Sequence, residues 1–597
     1  MIKFFLFLIG VKLFFSTFSC QESNLSIDMD KTTAQLKELI EKNKFRGQGV
    51  INPFADTLAY LYRQNNYMPF WIIAAKDTQN VKELLTFLQN ADAHGINPER
   101  YCCSKLEKDF QTLWLNKANS GDFDYTALCQ FEFSLSASYL LYQHDILYGV
   151  VNPRELDPVN YDIPLPKHFT DGIINLFSID RVKALEIIQP KNERYIKLQQ
   201  ALVSYSHFAG TKKWTKVPLI DGKIKKGEKS KIISLIARNL KEEGLLDSCY
   251  NVSESGVYDT SLFNAVVAFQ SRFGIANDGV IGKNTIEQMN ISPKDRVEII
   301  KINLERFRWT TYSDSSRYIL VNIPDFHVYT YSDGKVFDKI KVCTGQKREN
   351  DFDRKNELFR KTKNILIKPK NHETPQVASR IGLIITNPLW GVPESIAKNE
   401  MLGDILKEPE YLQEHNYKVY KSGKEVDASK IDWKIYSRLK LPFTFVQDAG
   451  PGNALGKIKF IFKNKFSIYL HDTPTRLPFS SAVRAVSHGC VRVEKPLQLA
   501  EFILLPSAKF SMDDIKSEIG IKPENEKKIA RYKANLGKKP HTRDFSLDVS
   551  VPVYVDYFTA WVDAGGILQF RADIYEKDKL LAKALFSEGD KKISNNK

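Results

Sequence analysis

The residues best suited to chemistry lie in two short runs, Tyr469-Leu470-His471-Asp472 and Ser487-His488-Gly489-Cys490-Val491-Arg492, with Cys490 nineteen positions after His471. A thiol is a competent nucleophile only as the thiolate, and a neighbouring imidazole is the usual proton acceptor. The spacing lets one strand end, turn and return. Phe466-Ser467-Ile468-Tyr469-Leu470 is rich in aromatic and branched residues, which predicts a strand with His471 at its end. Gly489 leaves out a Cβ where backbone must approach a ligand, and the N–H groups of its turn are candidates to receive an oxyanion. Two rival readings use the same residues. A lone cysteine is often a small buried hydrophobe, and His471, His488 and Cys490 are also zinc-ligand types. No second cysteine stands nearby to complete a four-ligand site, so the pattern is that of a site without metal or other cofactor.

The surrounding elements must hold these groups. Residues 317–324 and 326–331 predict two strands, Asp333-Gly334 a hairpin turn, and Lys339 to Thr344 a third strand. Lys347 to His372 is charged and lacks an apolar period, which predicts a surface loop. Asn387 to Pro393 closes a strand and leads into a helical excursion. There Ser395 is the expected cap of Ile396 to Leu406, and Val419-Tyr420 starts the return. Trp390 is a candidate aromatic wall or a core residue. Pro451-Gly452-Asn453-Ala454-Leu455-Gly456 suits a loop whose backbone meets ligand, ahead of a strand from Lys459 to Phe462. Beyond the motif come an apolar helix at Leu497 to Leu504 and a solvated Lys-rich stretch at 509–545. A terminal hairpin of Val549 to Tyr557 and Gly566 to Tyr575 follows.

Residues 30–225 are mostly helical by period. An apolar stretch around Phe131 to Leu140 reads as a buried helix, and His94, His144, His168 and His207 stand isolated. Residues 228–292 predict helices entered through glycine turns, Gly256-Val257 and Gly279-Val280-Ile281-Gly282.

At 597 residues the chain is too long for one core and should hold two to four domains. Its net charge of +15 suits an anionic neighbourhood or simple solubility, and no zinc-finger, RRM or helix-turn-helix signature points to nucleic acid. Lys3, the apolar run from Phe4 to Phe15, and Thr17 and Ser19 before Cys20 form a secretory signal, with cleavage after Ser19. Cys20 is then a candidate for lipidation, giving a membrane anchor in the periplasm. The seven cysteines show no framework spacing, so no essential disulfide is expected.

His471 followed by Ser487-His488-Gly489-Cys490 resembles the active site of the L,D-transpeptidases. Val321-Asn322-Ile323-Pro324, Thr374-Pro375 and the Pro451 to Gly456 loop resemble the same catalytic (YkuD-type) domain. Phe269-Gln270, Gly274, Asp278-Gly279, Gly282 and Thr285 resemble a peptidoglycan-binding module of three helices, and the N-terminal half resembles the helical scaffold of the larger members. The resemblance implies an α+β multidomain chain: signal peptide 1–19, α-helical scaffold 20–227, peptidoglycan-binding-like module 228–292, and a mainly-β catalytic domain 293–597 with a helical lid at about 391–440. It implies Cys490 as nucleophile and His471 as base, with the Asp472 carbonyl orienting the ring. Gly489 and His488 would serve the oxyanion hole, and Arg492, Ser487, Tyr469, Trp390 and Asn453 the substrate. The partners would be peptidoglycan stem peptides, as donor and acceptor in 3→3 crosslinking. Hydrolysis of the same thioester, attachment of a lipoprotein to the wall, or a non-catalytic wall anchor remain open alternatives.

Overall fold

The computed structural model describes residues 27–44, 53–73, 78–120, 122–165, 180–251, 256–310, 316–364 and 367–593. The expected signal sequence, Cys20 and His168 lie outside them. Among the described residues no helix is long and apolar enough to cross a membrane.

The chain forms two compact units. The first comprises residues 1–91, 98–144 and 169–188, and the second the remainder. In the first unit helices pack around the long helix Tyr125–Tyr148, whose residues Leu128, Cys129, Phe131, Phe133, Leu135 and Tyr139 are all buried. A helix apolar on every side must be wrapped by others. Its buried Glu132 is satisfied by the backbone N–H groups of Phe70, Trp71 and Ile72 and by the Tyr62 hydroxyl, 2.5–3.1 Å away. A buried carboxyl held this way ties one loop to the central helix.

In the second unit the helices Ile233–Glu242, Thr260–Arg272 and Lys283–Met289 form the module expected at 228–292. They share one core with the helices Glu193–Thr211 and Pro293–Trp309 and with Phe558, Trp561 and Phe570 near the C-terminus. Packing is therefore continuous across position 227.

The strands are β1 (Tyr161–Asp162), β2 (Arg317–Asn322), β3 (His327–Ser332), β4 (Lys335–Gly345) and β5 (Gln376–Thr386). Then come β6 (Trp390–Gly391), β7 (Tyr417–Lys421), β8 (Lys424–Val426), β9 (Phe443–Gln447) and β10 (Ile458–Phe462). The last are β11 (Leu470–His471), β12 (Ala485–Ser487), β13 (Val491–Val493), β14 (Arg543–Asp556), β15 (Ala560–Val562) and β16 (Leu568–Phe570). The main sheet runs β5-β10-β11-β13-β4-β3-β2-β14, and β14 also pairs with β5, so the ladder closes on itself and leaves no bare edge there. Its apolar side, including Ile319, Val342, Ile381, Phe460, Leu470, Val491 and Val553, forms the core of this region.

Four expectations need correction. Residues 347–372 are not simply a loop: Phe352–Thr362 is a helix that buries only Phe352 and is laced by Lys355–Asp351 and Lys361–Glu357 pairs, so it carries no apolar stripe to detect. The excursion after Trp390 is only partly helical. β6, β9, β7 and β8 form a four-stranded sheet around Val419, Phe443 and Phe445, and Ser422-Gly423 makes its turn with φ of 50° and 80°. Its first helix starts after Pro393 with no side-chain cap from Ser395 and runs into a π-turn at Ala397–Met401. The stretch at 509–545 is not wholly solvated, since Ile515, Glu518, Ile519 and Phe545 are buried. The terminal hairpin is the short β15–β16 pair, while Val549 to Asp556 belongs to β14, parallel to β2 and antiparallel to β5. Alternation announces a strand but cannot name its partner.

Candidate active site

Strand register assembles the site. β11 lies between β10 and β13, with Lys459 opposite His471, His471 level with Arg492, and Leu470 level with Val491. Side chains alternate along a strand, so Tyr469, His471, Cys490, Arg492 and Lys459 share one face while Leu470, Val491 and Phe460 turn into the core. On the next strand Arg492 pairs with Cys343, whose buried thiol is pushed up to about 11.

The imidazole is fixed by its neighbour. His471 Nδ1–H donates to the Asp472 carbonyl at 2.5 Å, which leaves Nε2 as the basic nitrogen. Burial pushes His471 down to about 3, with the cations Arg492 and Lys459 adding to the effect. Burial also raises the Cys490 thiol. Hydrogen bonds from Tyr469 and the charges of Lys459 and Arg492 oppose that rise. The resting pair is therefore neutral thiol and neutral imidazole. The Asp472 carboxylate faces away from the ring's needs: it accepts from Lys457 N at 2.8 Å and from Arg476 at 2.7 Å.

The turn before the sulfur is braced from below. Ser487 is buried, donating through Oγ to the Cys490 carbonyl at 2.5 Å and accepting from Gly489 N at 3.2 Å. Thr374 Oγ1 donates to the Gly489 carbonyl at 2.9 Å and accepts from Gly345 N at 2.8 Å. The Tyr575 hydroxyl donates to the Gly345 carbonyl at 2.5 Å. Gly489 has φ of +115°, a conformation that suits glycine, and this demand outweighs close contact: a Cβ there would meet nothing nearer than 3.7 Å. Close approach decides Gly345 instead, where a Cβ would sit 1.7 Å from the His372 carbonyl.

Several expected site residues are placed otherwise. Ser487 is spent on the turn, so it does not face a substrate. Asn453 is buried, with Nδ2 donating to the carbonyls of Pro388, Gln447 and Asp448 and Oδ1 accepting from Leu455 N. It staples a loop, its buried amide held by backbone rather than presented to a ligand. The Gly489 N–H is taken by Ser487, whereas the Cys490 N–H has no protein acceptor among the described residues. His488 points at the insertion: its Nε2 lies 2.8 Å from Glu400 Oε1 in the π-turn, and its ring packs 4.5 Å from His372. Trp390 is half-buried at the base of the inserted sheet, 6.4 Å from Tyr417. Arg492 braces nothing, since its guanidinium makes no ion pair within 4 Å among the described residues.

Lys459, Glu400 and Tyr575 were not singled out by sequence, and Thr374 only as part of the Thr374-Pro375 resemblance, without a role in the site. Lys459 had a signal, a cation inside the apolar alternation of Ile458, Phe460 and Phe462. Glu400 and Tyr575 had none, because only tertiary contact brings them here. Among the described residues no three His, Cys, Asp or Glu side chains converge as a metal site.

Comparison with known proteins gives three matches along the chain. Residues 56–202 match a "Scaffold domain", 230–289 a "Putative peptidoglycan binding domain", and 316–510 an "L,D-transpeptidase catalytic domain". A Haemophilus influenzae protein named "Putative L,D-transpeptidase" is 30% identical over 296 residues, 49% of this chain and 50% of that one. The chain thus spans about half the length of the curated relative it matches. Solved L,D-transpeptidase structures from Xylanimonas cellulosilytica and Stackebrandtia nassauensis show 13% and 15% identity. They cover 57% of this chain and 100% and 96% of theirs, with TM-scores of 0.17 and 0.19, too low to carry weight. The chain is thus similar, in order, to a scaffold domain, a putative peptidoglycan binding domain and an L,D-transpeptidase catalytic domain, and over about half its length to a putative L,D-transpeptidase.

Proposed function

We propose that the protein works in the cell envelope as a peptidoglycan L,D-transpeptidase that uses a Cys490 thioester to form 3→3 crosslinks. One observation carries this: the shared face of β10, β11 and β13, on which His471, oriented by the Asp472 carbonyl, stands on the strand beside Cys490. Cys490 Sγ attacks the carbonyl carbon of the L-to-D bond after the diamino acid of a tetrapeptide stem, and His471 Nε2 takes the thiol proton. The oxyanion is received by the Cys490 N–H, the donor left free in the turn. The C–N bond breaks, D-alanine leaves with the proton from His471, and a thioester remains. The side-chain amine of a second stem then attacks, His471 takes its proton, and the thiol is regenerated. Arg492, cationic and unpaired, holds a substrate carboxylate. The segment 391–440 acts as a lid, the 228–292 module contacts the wall, and an acyl chain on Cys20 is the proposed anchor.

Sacculi incubated with the protein and digested to muropeptides give the test by mass spectrometry. Dimers linked between two diamino acids, with loss of D-alanine, are expected. Tripeptide monomers without dimers would reassign the protein as an L,D-carboxypeptidase.

The lid has its own test. A closed lid excludes water from a thioester, and the described contact between lid and motif is Glu400 to His488. Both groups are partly exposed, so the bond is worth about 0.2–1 kcal/mol. Glu400→Gln is expected to raise hydrolysis relative to transfer about 2- to 5-fold, read as the tripeptide-to-dimer ratio. An unchanged ratio would show that the lid only frames the groove.

A further inference from the structure

The donor proposed for the oxyanion belongs to the peptide group between Gly489 and Cys490, and nothing in Gly489 itself holds that peptide. At φ of +115° and with no Cβ, glycine leaves a crankshaft rotation of the peptide open, and such a rotation swings the Cys490 N–H aside. A trans peptide is planar, with its carbonyl and its N–H pointing in opposite directions, so a bond that holds the carbonyl also aims the N–H. Thr374 makes that bond. Its Oγ1 accepts from the Gly345 N–H at 2.8 Å and lies 2.9 Å from the Gly489 carbonyl oxygen. An N–H only donates and a carbonyl only accepts, so the hydroxyl proton is committed to Gly489.

Thr374 is itself pinned. It is buried, and Pro375 after it confines its backbone to the extended region. Its N–H donates to the Tyr575 hydroxyl at 3.2 Å, which in turn donates to the Gly345 carbonyl. Branching at Cβ leaves the hydroxyl few rotamers. On the far side of Cys490, its carbonyl accepts from Ser487 Oγ and the Val491 N–H donates to the Tyr469 carbonyl at 3.1 Å. The Cys490 N–H therefore sits between two anchored carbonyls, and no protein acceptor takes it among the described residues.

Resting on the transpeptidase reading, we infer that Thr374 is a positioning residue for acyl transfer, which acts through the Gly489 carbonyl to keep the Cys490 N–H aimed at the oxyanion. Forming and breaking the thioester both pass through a tetrahedral oxyanion, so both steps need this donor. Alkylation of the same sulfur by iodoacetamide displaces iodide at a saturated carbon and builds no oxyanion. Comparing the two reactions separates the aim of the N–H from general damage to the turn.

The test uses the full chain, with D-alanine release from a synthetic tetrapeptide stem and iodoacetamide alkylation of Cys490 as readouts. Thr374→Val keeps the shape and removes the hydroxyl. It is expected to lower kcat about 10- to 100-fold, somewhat less than outright loss of an oxyanion donor, with KM and the alkylation rate within about twofold of wild type. Thr374→Ser is expected to restore kcat to within about threefold. Tyr575→Phe keeps the Thr374 hydroxyl but frees its backbone, and is expected to show the same split with a smaller loss. An unchanged kcat in Thr374→Val would overturn the inference. So would alkylation that slows in step with acyl transfer, or a Ser variant no better than Val. If Thr374→Val does not fold, Tyr575→Phe decides by the same split. If the wild type alkylates at Cys490 but releases no D-alanine, the transpeptidase reading fails and the inference falls with it.

Discussion

Cys490→Ala is expected to reduce acyl transfer by at least about 10⁴-fold while the protein stays folded, and His471→Ala to cost nearly as much. The two act as one unit, so the double variant should be hardly worse than either single one. Loss of one sulfur from a site that is only partly buried costs about 1 kcal/mol of stability, far less than would unfold a domain. Circular dichroism and thermal melting should therefore match wild type while D-alanine release and intact-mass detection of the acyl-enzyme both vanish. Dimer formation persisting in Cys490→Ala would remove Cys490 as the nucleophile. Strict additivity in the double variant would separate His471 from it.

The second large effect is on pH. Burial holds His471 near 3 and raises the Cys490 thiol, so the resting site contains no thiolate–imidazolium pair. Alkylation of Cys490 by iodoacetamide is expected to climb with pH through the alkaline range without an inflection between pH 6 and 7. A plateau at neutral pH would show a preformed ion pair. The same shift bears on stability. His471 is neutral when folded down to about pH 3 but takes a proton near 6.5 when unfolded. Its contribution is thus present above 6.5 and is lost as pH falls from 6.5 towards 3. His94, buried against Tyr195 and near the Arg308 guanidinium, is also held near 3 and adds to this. Each contributes a slope of about 1.4 kcal/mol per pH unit across that window. Urea midpoints should fall from pH 7 to pH 5, and His471→Gln should flatten the decline. Midpoints that do not change over that interval would rule out the buried neutral imidazoles.

Much of this was legible in the residues, for a definable reason. Motif chemistry and period are local properties. Ser487 to Arg492 with His471 marks a candidate nucleophile and base, and alternation over Arg317 to Tyr331 marks strands. The apolar stretch at Phe131 to Leu140 marks a helix surrounded by others. Where stability comes from charge pairs, as in Phe352–Thr362, or from partners far along the chain, as in β14, the local pattern carries no address.

The sequence by itself determined which residues could react, and the broad succession of helical, mixed and strand-rich regions. Only the tertiary structure decided what each polar group has left to offer. It spends Asn453 and Ser487 on backbone, since a buried polar atom must be paired within the protein. It leaves Lys459 and Arg492 without an ion pair among the described residues, and it turns His488 towards Glu400 in the inserted segment. Register does this: one residue of slip along β11 would send His471 into the core and Leu470 to the substrate, and only the paired strands on either side prevent it.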